Sequence, residues 1–424
     1  MKIIIGILFI LTIHGAYAQK VKPLKTHNEL SKEKVYRSLP EAMANKKKVY
    51  VLNLDNQKLT ELPSSIGKLI NLQVLYIRNN KLSDLPVELF QLPNLQILGL
   101  GENKFTSIPS GIFKLKNLEE LDFFNNLLQE IPSEIGQLNQ LKKLDLNWNQ
   151  ITTLPNELGK LVALEKLFLE RNKLTVLPES LGQLTQLNEL RISENNLEKL
   201  PVNMGNLTLL AELNLEKNAL TLLPASLGNI KNLKKLNISQ NQLVKIPDEL
   251  GMLENLEELN LSNNKIKQVS GNSINFPNVR SIDLSINKIS YFSANMGKLL
   301  KLEYLDVSIN QLIEVPVNIG YANNLKILNL NRNNIVRVEG SIAKLSQLEE
   351  LDFSDNVIEK VDKSLGALTN LKVLNLSGNH LLYLNKQLEG MKSLETLYIE
   401  RNPRLDAFQK KQVKLFFPNA NIQF

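Results

Sequence analysis

The chain has 424 residues, of which 43% are hydrophobic and only 6% aromatic, and a formal net charge of +7. That apolar content excludes general disorder, and the shortage of rings requires a core built from Leu, Ile and Val. With no cysteine in the sequence, disulfides, thiolate nucleophiles and cysteine-held zinc are excluded.

Residues 1–18 read as a secretory signal. Lys2 is the positive start, Ile3 to Ile13 is apolar apart from Gly6 and Thr12, and Ala16-Tyr17-Ala18 is a small-x-small cleavage site before Gln19. The apolar run is short for a bilayer span, and no later stretch reaches the length of one. The expectation is export to the periplasm, cell surface or medium, with no membrane span.

Residues 19–48 form the expected N-terminal cap. Ser38-Leu-Pro-Glu41 has the form of a helix start, with Ser38 as N-cap and Glu41 three positions on. This segment carries nine Lys/Arg against three Asp/Glu, and residues 403–424 carry four against one. The repeats between them are net negative. Positive charge is therefore terminal, and nucleic acid is not an expected partner.

Residues 49–402 repeat. Asn80, Asn103, Asn126, Asn149 and eleven more up to Asn402 follow one another at 23-residue intervals, and Gln57 holds the same phase at the start. About 16 copies result, with no insertion or deletion. The unit from Leu72 to Asn94 reads L-x-x-L-x-I-x-x-N-x-L-x-x-L-P-x-x-L-x-x-L-x-N. Leu75 and Ile77 alternate with Tyr76, which predicts a short strand, and equivalent strands stack as a parallel sheet. Leu82, Leu85, Leu89 and Leu92 have turn-like spacing, and Pro86 fixes a bend. The repeated amide suits buried backbone groups where the coil leaves the sheet, because it both donates and accepts. Gly67, Gly136, Gly159, Gly182 and their equivalents are expected to permit positive φ or tight turns. From residue 270 the proline position reads Ser270, Ser293, Pro316, Glu339, Asp362 and Asn385, and residues 269–276 depart from the pattern, so a local irregularity is expected there.

This unit resembles the leucine-rich repeat family in its 23-residue form. The resemblance implies an α/β solenoid: a curved horseshoe with a parallel β-sheet on the concave face and short helical turns on the convex face. The L-P-x-x-I-G-x-L turn is similar to that of leucine-rich repeat proteins associated with Ras-type GTPases. In residues 403–424, Leu405, Phe408, Val413, Phe416 and Phe417 suit a helix laid over the last coil, followed by a strand from Asn421.

Four positions per copy point away from the core: six, four, two and one before the asparagine. The outermost runs Glu120, Lys143, Lys166, Glu189, a self-neutralising row. Asp283 and Asp306 could offer oxygens to a cation, but a hydrated polar ladder with Ser285 and Ser308 is the expected reading. The sequons at Asn237, Asn260 and Asn375 are expected to be by-products of the strand pattern. Tyr76 and Arg78 stand beside the bare Gly99 and Gly101, followed by Phe124, Trp148, Phe168, Arg171 and Arg191. Aromatic rings and guanidinium groups are enriched at the energetic centres of protein interfaces. These seven residues are the candidate partner-binding site, with Trp148 and Arg171 on adjacent rungs able to stack. Ile286, Tyr304, Ile309 and Ile327 make a smaller apolar cluster.

Catalysis is not expected. His14 leaves with the signal, His27 and His380 lie near opposite ends, and Gly99-Leu-Gly101 lacks a dinucleotide loop's third glycine. No cofactor or metal is expected. The sequence reads as an exported, non-catalytic module that binds a protein on its concave face. An intracellular signalling scaffold is the alternative, against which residues 3–13 speak, and glycan or peptidoglycan binding is a third reading.

Overall fold

The computed structural model describes residues 24–316, 318–338 and 340–424, so the expected signal at 1–18 lies outside the described residues, as does Glu339. Each copy contributes one three-residue strand whose parallel neighbour lies 23 positions on: Val51 beside Val74, Lys143 beside Lys166, Glu350 beside Val373. One 18-stranded parallel sheet results, from Val35–Tyr36 to Asn421–Gln423. It lines the concave face of the expected solenoid. Between the sheet and the convex turns lies a continuous core, to which one copy gives Leu144, Leu146, Ile151, Leu158, Leu161 and Leu164, all fully buried. Each such side chain contributes about 1.5–3 kcal/mol of burial.

The chain leaves each strand through a left-handed residue. The residue before the asparagine has positive φ in copy after copy: 51° at Asn79, 57° at Trp148, 53° at Arg171, 54° at Ile286. That kink turns the following asparagine inward. Asn149 shows its work: Oδ1 accepts the Leu128 N–H at 2.9 Å, and Nδ2 donates to the carbonyls of Phe123, Leu146 and Asn147 at 2.9, 3.1 and 3.2 Å. Two of these partners lie in the preceding copy. The amide therefore ties neighbouring coils together where no strand bond reaches.

Most convex returns are five-residue 3₁₀ turns, shortened to three residues at Met296–Lys298 and Ile319–Tyr321. Pro86 enters in extended geometry (φ −67°, ψ 143°), Val87–Gln91 coils tightly, and Leu92 N–H closes on the Leu89 carbonyl at 3.2 Å. With three residues per turn, successive returns stack closely. Here the reading of the glycines needs correction. Gly378 is the one described glycine at positive φ, and it lies on the concave side. The convex glycines are required by contact: a methyl group at Gly182 would collide with the Asn203 carbonyl, and one at Gly228 with that of Glu249. A second asparagine column stitches this surface. Exposed Asn71, Asn232 and Asn370 donate to the carbonyls of Lys47, Thr208 and Ser346 at 2.9, 2.8 and 2.8 Å.

In four of the five copies that lack the proline, short extra strands appear, Asn385 being the exception. Gln268–Val269 pairs with Tyr291–Phe292, and Arg337–Val338 with Lys360–Val361. Ser293 and Asp362, in the proline position, donate their N–H groups to the carbonyls of Val269 and Val338 at 3.0 and 3.2 Å. Proline has no such hydrogen to give. The irregularity at 269–276 is this strand followed by a turn in place of a 3₁₀ segment.

An arm precedes the first coil. Helix α1 (His27–Leu30), capped by Thr26, lays Leu30 on Val51, Val74 and Ile97. Those three occupy the outermost concave position, which is charged in the next seven copies, from Glu120 to Glu258. Helix α2 (Leu39–Ala44) starts at Ser38, whose hydroxyl accepts the Glu41 N–H. Helix α3 (Ala407–Phe416) buries Val413 against the last coil, and Leu405 and Phe417 at its ends are also buried, but Phe408 is 62% exposed and lies off that contact.

Replacing Asn149 by Ala leaves one N–H and three carbonyls short of their partner, most of them buried. A loss of about 2–4 kcal/mol in urea-induced unfolding is expected. Asn232→Ala, at the exposed convex column, is expected to cost about 1 kcal/mol or less. Equal costs would show that burial is not what gives the inner ladder its weight.

Candidate functional site

The strand alternation turns Tyr76, Asp122, Asp145, Phe168 and Arg191 outward at one position of successive copies, and the left-handed kink throws Trp148 and Arg171 onto a second ridge beside it. Trp148 is 44% exposed. Its ring tilts against Phe124, with centroids 6.0 Å apart, and the Arg171 guanidinium lies 4.0 Å from its centroid. On the other ridge Arg191 stands 5.2 Å over Phe168, and Lys143 approaches the same ring at 5.6 Å. A polar row separates the ridges: Asn147 accepts the Glu170 N–H at 2.6 Å, and Ser193 donates to the Glu170 carboxylate at 2.8 Å. Phe124, Trp148 and Arg171 thus form one cluster, and Phe168 and Arg191 a second beside it.

Tyr76 and Arg78 belong to a third group. Gly99 and Gly101 are not bare floor, because both are buried. The Tyr76 ring and the Arg78 guanidinium lean across Gly99, where a methyl group would come within 2.7 Å of the ring. Arg78 thereby crosses a whole coil and meets Asp122 two copies on, Nε to Oδ2 at 2.7 Å. A side chain at Gly99 would block that reach. Tyr76 also packs against the cluster under the arm.

Each of the three arginines has a carboxylate partner that column arithmetic on aromatics and arginines alone does not pick out. Arg171 pairs with Glu194 at 2.7 Å, Arg191 with Glu189, and Arg78 with Asp122. Hydrogen bonds from Lys217 and then Arg171 hold the Glu194 carboxyl below the usual range. At Glu189 burial works the other way, but Lys166 and Arg191 outweigh it, and that carboxyl is also lowered. Asp145 differs. It lies between Asp122 and Phe168 on neighbouring rungs, and among the described residues no cation is within ion-pair distance of it. Its Oδ1 accepts the Asn147 N–H at 3.1 Å. Burial first, with the Asp122 charge adding to it, pushes its carboxyl up to about 6.

The arm borders this surface. His27 reaches Glu119 at 3.4 Å and Glu120 at 3.6 Å, and the Lys25 N–H donates to Gln73 Oε1 at 3.0 Å. The signal for it was the run of Val51, Val74 and Ile97 in a position that is charged in the seven copies that follow. Among the described residues no group of three or more His, Cys, Asp or Glu is placed to hold a metal ion. Asp283 and Asp306 instead accept the N–H groups of Ser285 and Ser308 at 2.9 and 2.8 Å. Asn237 and Asn260 are tied to Ser239 and Ser262 in the same way. No helix among the described residues is long and apolar enough to cross a membrane.

The model of a leucine-rich repeat region matches residues 47–151, 131–216 and 265–423, and a second, for leucine-rich repeats in two copies, matches 231–274. No curated protein matches the chain. Among solved structures, a leucine-rich repeat protein of Leptospira interrogans is 35% identical with a TM-score of 0.80, over 92% of this chain and 100% of that one. A plant peptide hormone receptor, RGFR1, in complex with RGF2, is 28% identical with a TM-score of 0.59, over 88% and 71%. The functional domain of InlJ from Listeria monocytogenes shares the fold at 23% identity, with a TM-score of 0.62 over 84% and 69%.

Because Asp145 keeps its proton more tightly when folded, the unfolded chain releases that proton first as pH rises from 3.8 to about 6. Stability therefore falls across that window and is level above it. The gap corresponds to at most about 3 kcal/mol. Asp145→Asn is expected to be more stable than the parent by about 1–3 kcal/mol at pH 7, with the difference closing toward pH 4 in urea titrations. A difference that does not change with pH would contradict this assignment.

Proposed function

The chain belongs to the leucine-rich repeat family, and from that membership we propose that it is an exported, non-catalytic module that holds a partner protein on its concave face. The observation that carries the reading is Trp148. The coil does not need a large ring at this position, where other copies hold Asn79, Glu102 or Lys217. Here the ring is 44% exposed, stacked under Arg171 and tilted on Phe124. A rigid, half-desolvated aromatic beside a guanidinium has the composition of an interface anchor. Phe168, Arg191, Tyr76 and Arg78 extend the proposed surface. The plant receptor that shares 28% identity is seen in complex with RGF2, which supports reading the fold as a binding scaffold.

Internal neutralisation of the guanidinium groups bears on the partner. With Arg78, Arg171 and Arg191 already paired, the surface offers stacking and shape more than net positive charge. Export is read from Lys2, the apolar segment and Ala16-Tyr17-Ala18. Cleavage there puts Gln19 at the new N-terminus, ahead of the arm.

Trp148→Asn tests the surface without disturbing the kink, since Asn tolerates positive φ. Cross-linking on intact cells is expected to recover at least about tenfold less partner with this variant. Its melting temperature should stay within about 2 °C of the parent. A drop in stability with partner capture unchanged would make Trp148 a packing residue. N-terminal sequencing is expected to begin at Gln19, and a start at Met1 would overturn export.

A further inference from the structure

Ile286 and Ile309 break a local rule. Both lie in the left-handed kink, at φ 54° and 53°. A β-branched residue is crowded there, and a left-handed L-residue costs about 1–2 kcal/mol. Elsewhere among the described residues this position holds Asn, Asp, Glu, Gln, Lys, Arg or Gly, or Trp148. The two isoleucines gain little burial in return, being 44% and 38% exposed. Strain kept at an exposed apolar pair points to use rather than packing.

On the three copies that carry the ridge the outward charges are of one sign, while Arg332 in the next kink is paired with Asp355. In the three consecutive copies ending at Asn264, Asn287 and Asn310, the outward positions hold Glu258, Asn260, Ser262 and Asn263, then Ser281, Asp283 and Ser285, then Tyr304, Asp306 and Ser308, besides the two isoleucines. None is Lys or Arg. Glu258 is met by Lys235 of the previous copy at 3.1 Å. Asp283 accepts the Ser285 N–H, and Asp306 accepts from Ser308, the Tyr304 hydroxyl and Asn329, but neither carboxylate meets a cation. A hollow of about 420 Å³ borders this floor at Asn260, Ser281, Asp283 and Tyr304 and extends back over earlier copies to Lys235, Glu212 and Arg191, without reaching Asp306 or the two isoleucines. Those two cations are engaged by Glu189 and Glu258.

We propose that the Ile286–Ile309 ridge and its acidic floor form a second docking surface, fitted to a protein segment that carries an aliphatic or aromatic side chain next to a Lys or Arg. The apolar group covers the isoleucines, and the cation faces Asp283 and Asp306. Charge complementarity fixes the sign of the occupant, because a buried or half-buried carboxylate gains most from an approaching cation. The inference rests on reading the chain as a protein-binding module. The ridge lies in line with Trp148, six copies and about 29 Å away, so an extended segment of about nine residues reaches from one to the other.

The test pans a random peptide library, about 12 residues long, on the full chain. Enriched peptides are expected to place Leu, Ile or Phe beside Lys or Arg. Their affinity should fall about tenfold or more on Ile286→Asn with Ile309→Asn, and on Asp283→Asn, while surviving Trp148→Asn. The double variant should melt at the parent's temperature or above, because Asn263 already occupies the equivalent kink. Unchanged affinity for the double variant, enrichment of acidic peptides, no enrichment, or a melting point more than about 5 °C lower would overturn the proposal. Self-association that disappears in the double variant would make a second copy the occupant and overturn it too. Peptides lost only with Trp148→Asn would remove this second surface and leave the function proposed above in place.

Discussion

The structure depends on a kink and an amide that come as a pair. Shortly after each three-residue strand the chain turns through a left-handed residue. The turn strands backbone donors and acceptors away from water, and one asparagine satisfies them across two copies. The asparagine reaches these groups because the residue before it takes positive φ, and from Asn80 onward the two recur together. Repeating that pair every 23 residues sets the strand register, the stacking of the 3₁₀ returns and the position of each outward side chain.

Because the constraint recurs without interruption, the architecture was readable in the residues. Identical spacing from Asn80 to Asn402 left no freedom in register, and the alternation around Leu75 and Ile77 gave the strand. The glycines were read for the wrong reason. Positive φ belongs to the kink, where Asn, Glu, Trp and Ile all adopt it, whereas Gly182 and Gly228 are small because the next coil's carbonyl is too close. Spacing shows that a glycine recurs but not which neighbour presses on it.

The candidate surface was legible in part. Counting positions brought Trp148 to Arg171 and Phe168 to Arg191, since both pairs are 23 apart. It did not reveal that Arg78 spans an entire coil to Asp122, because that contact runs 44 residues along the sequence and needs the gap at Gly99. Nor did it find the arm, whose Leu30 answers Val51, Val74 and Ile97 with no periodicity to announce it. Repeats make their common scaffold visible and leave single-copy contacts hidden.

The Arg78–Asp122 bridge has a bearing on how such a chain can change over generations. Tandem genes gain and lose whole units by slippage, and the scaffold tolerates this because every joint is alike. The bridge is not tolerant in that way: it is a three-unit word whose middle letter must be Gly99. Slippage inside that word separates the two ions, while slippage beyond it only changes the distance between Trp148 and whatever the later coils display. Units added or lost on the C-terminal side leave this ion pair intact, whereas a change of unit between Tyr76 and Asp122 breaks it.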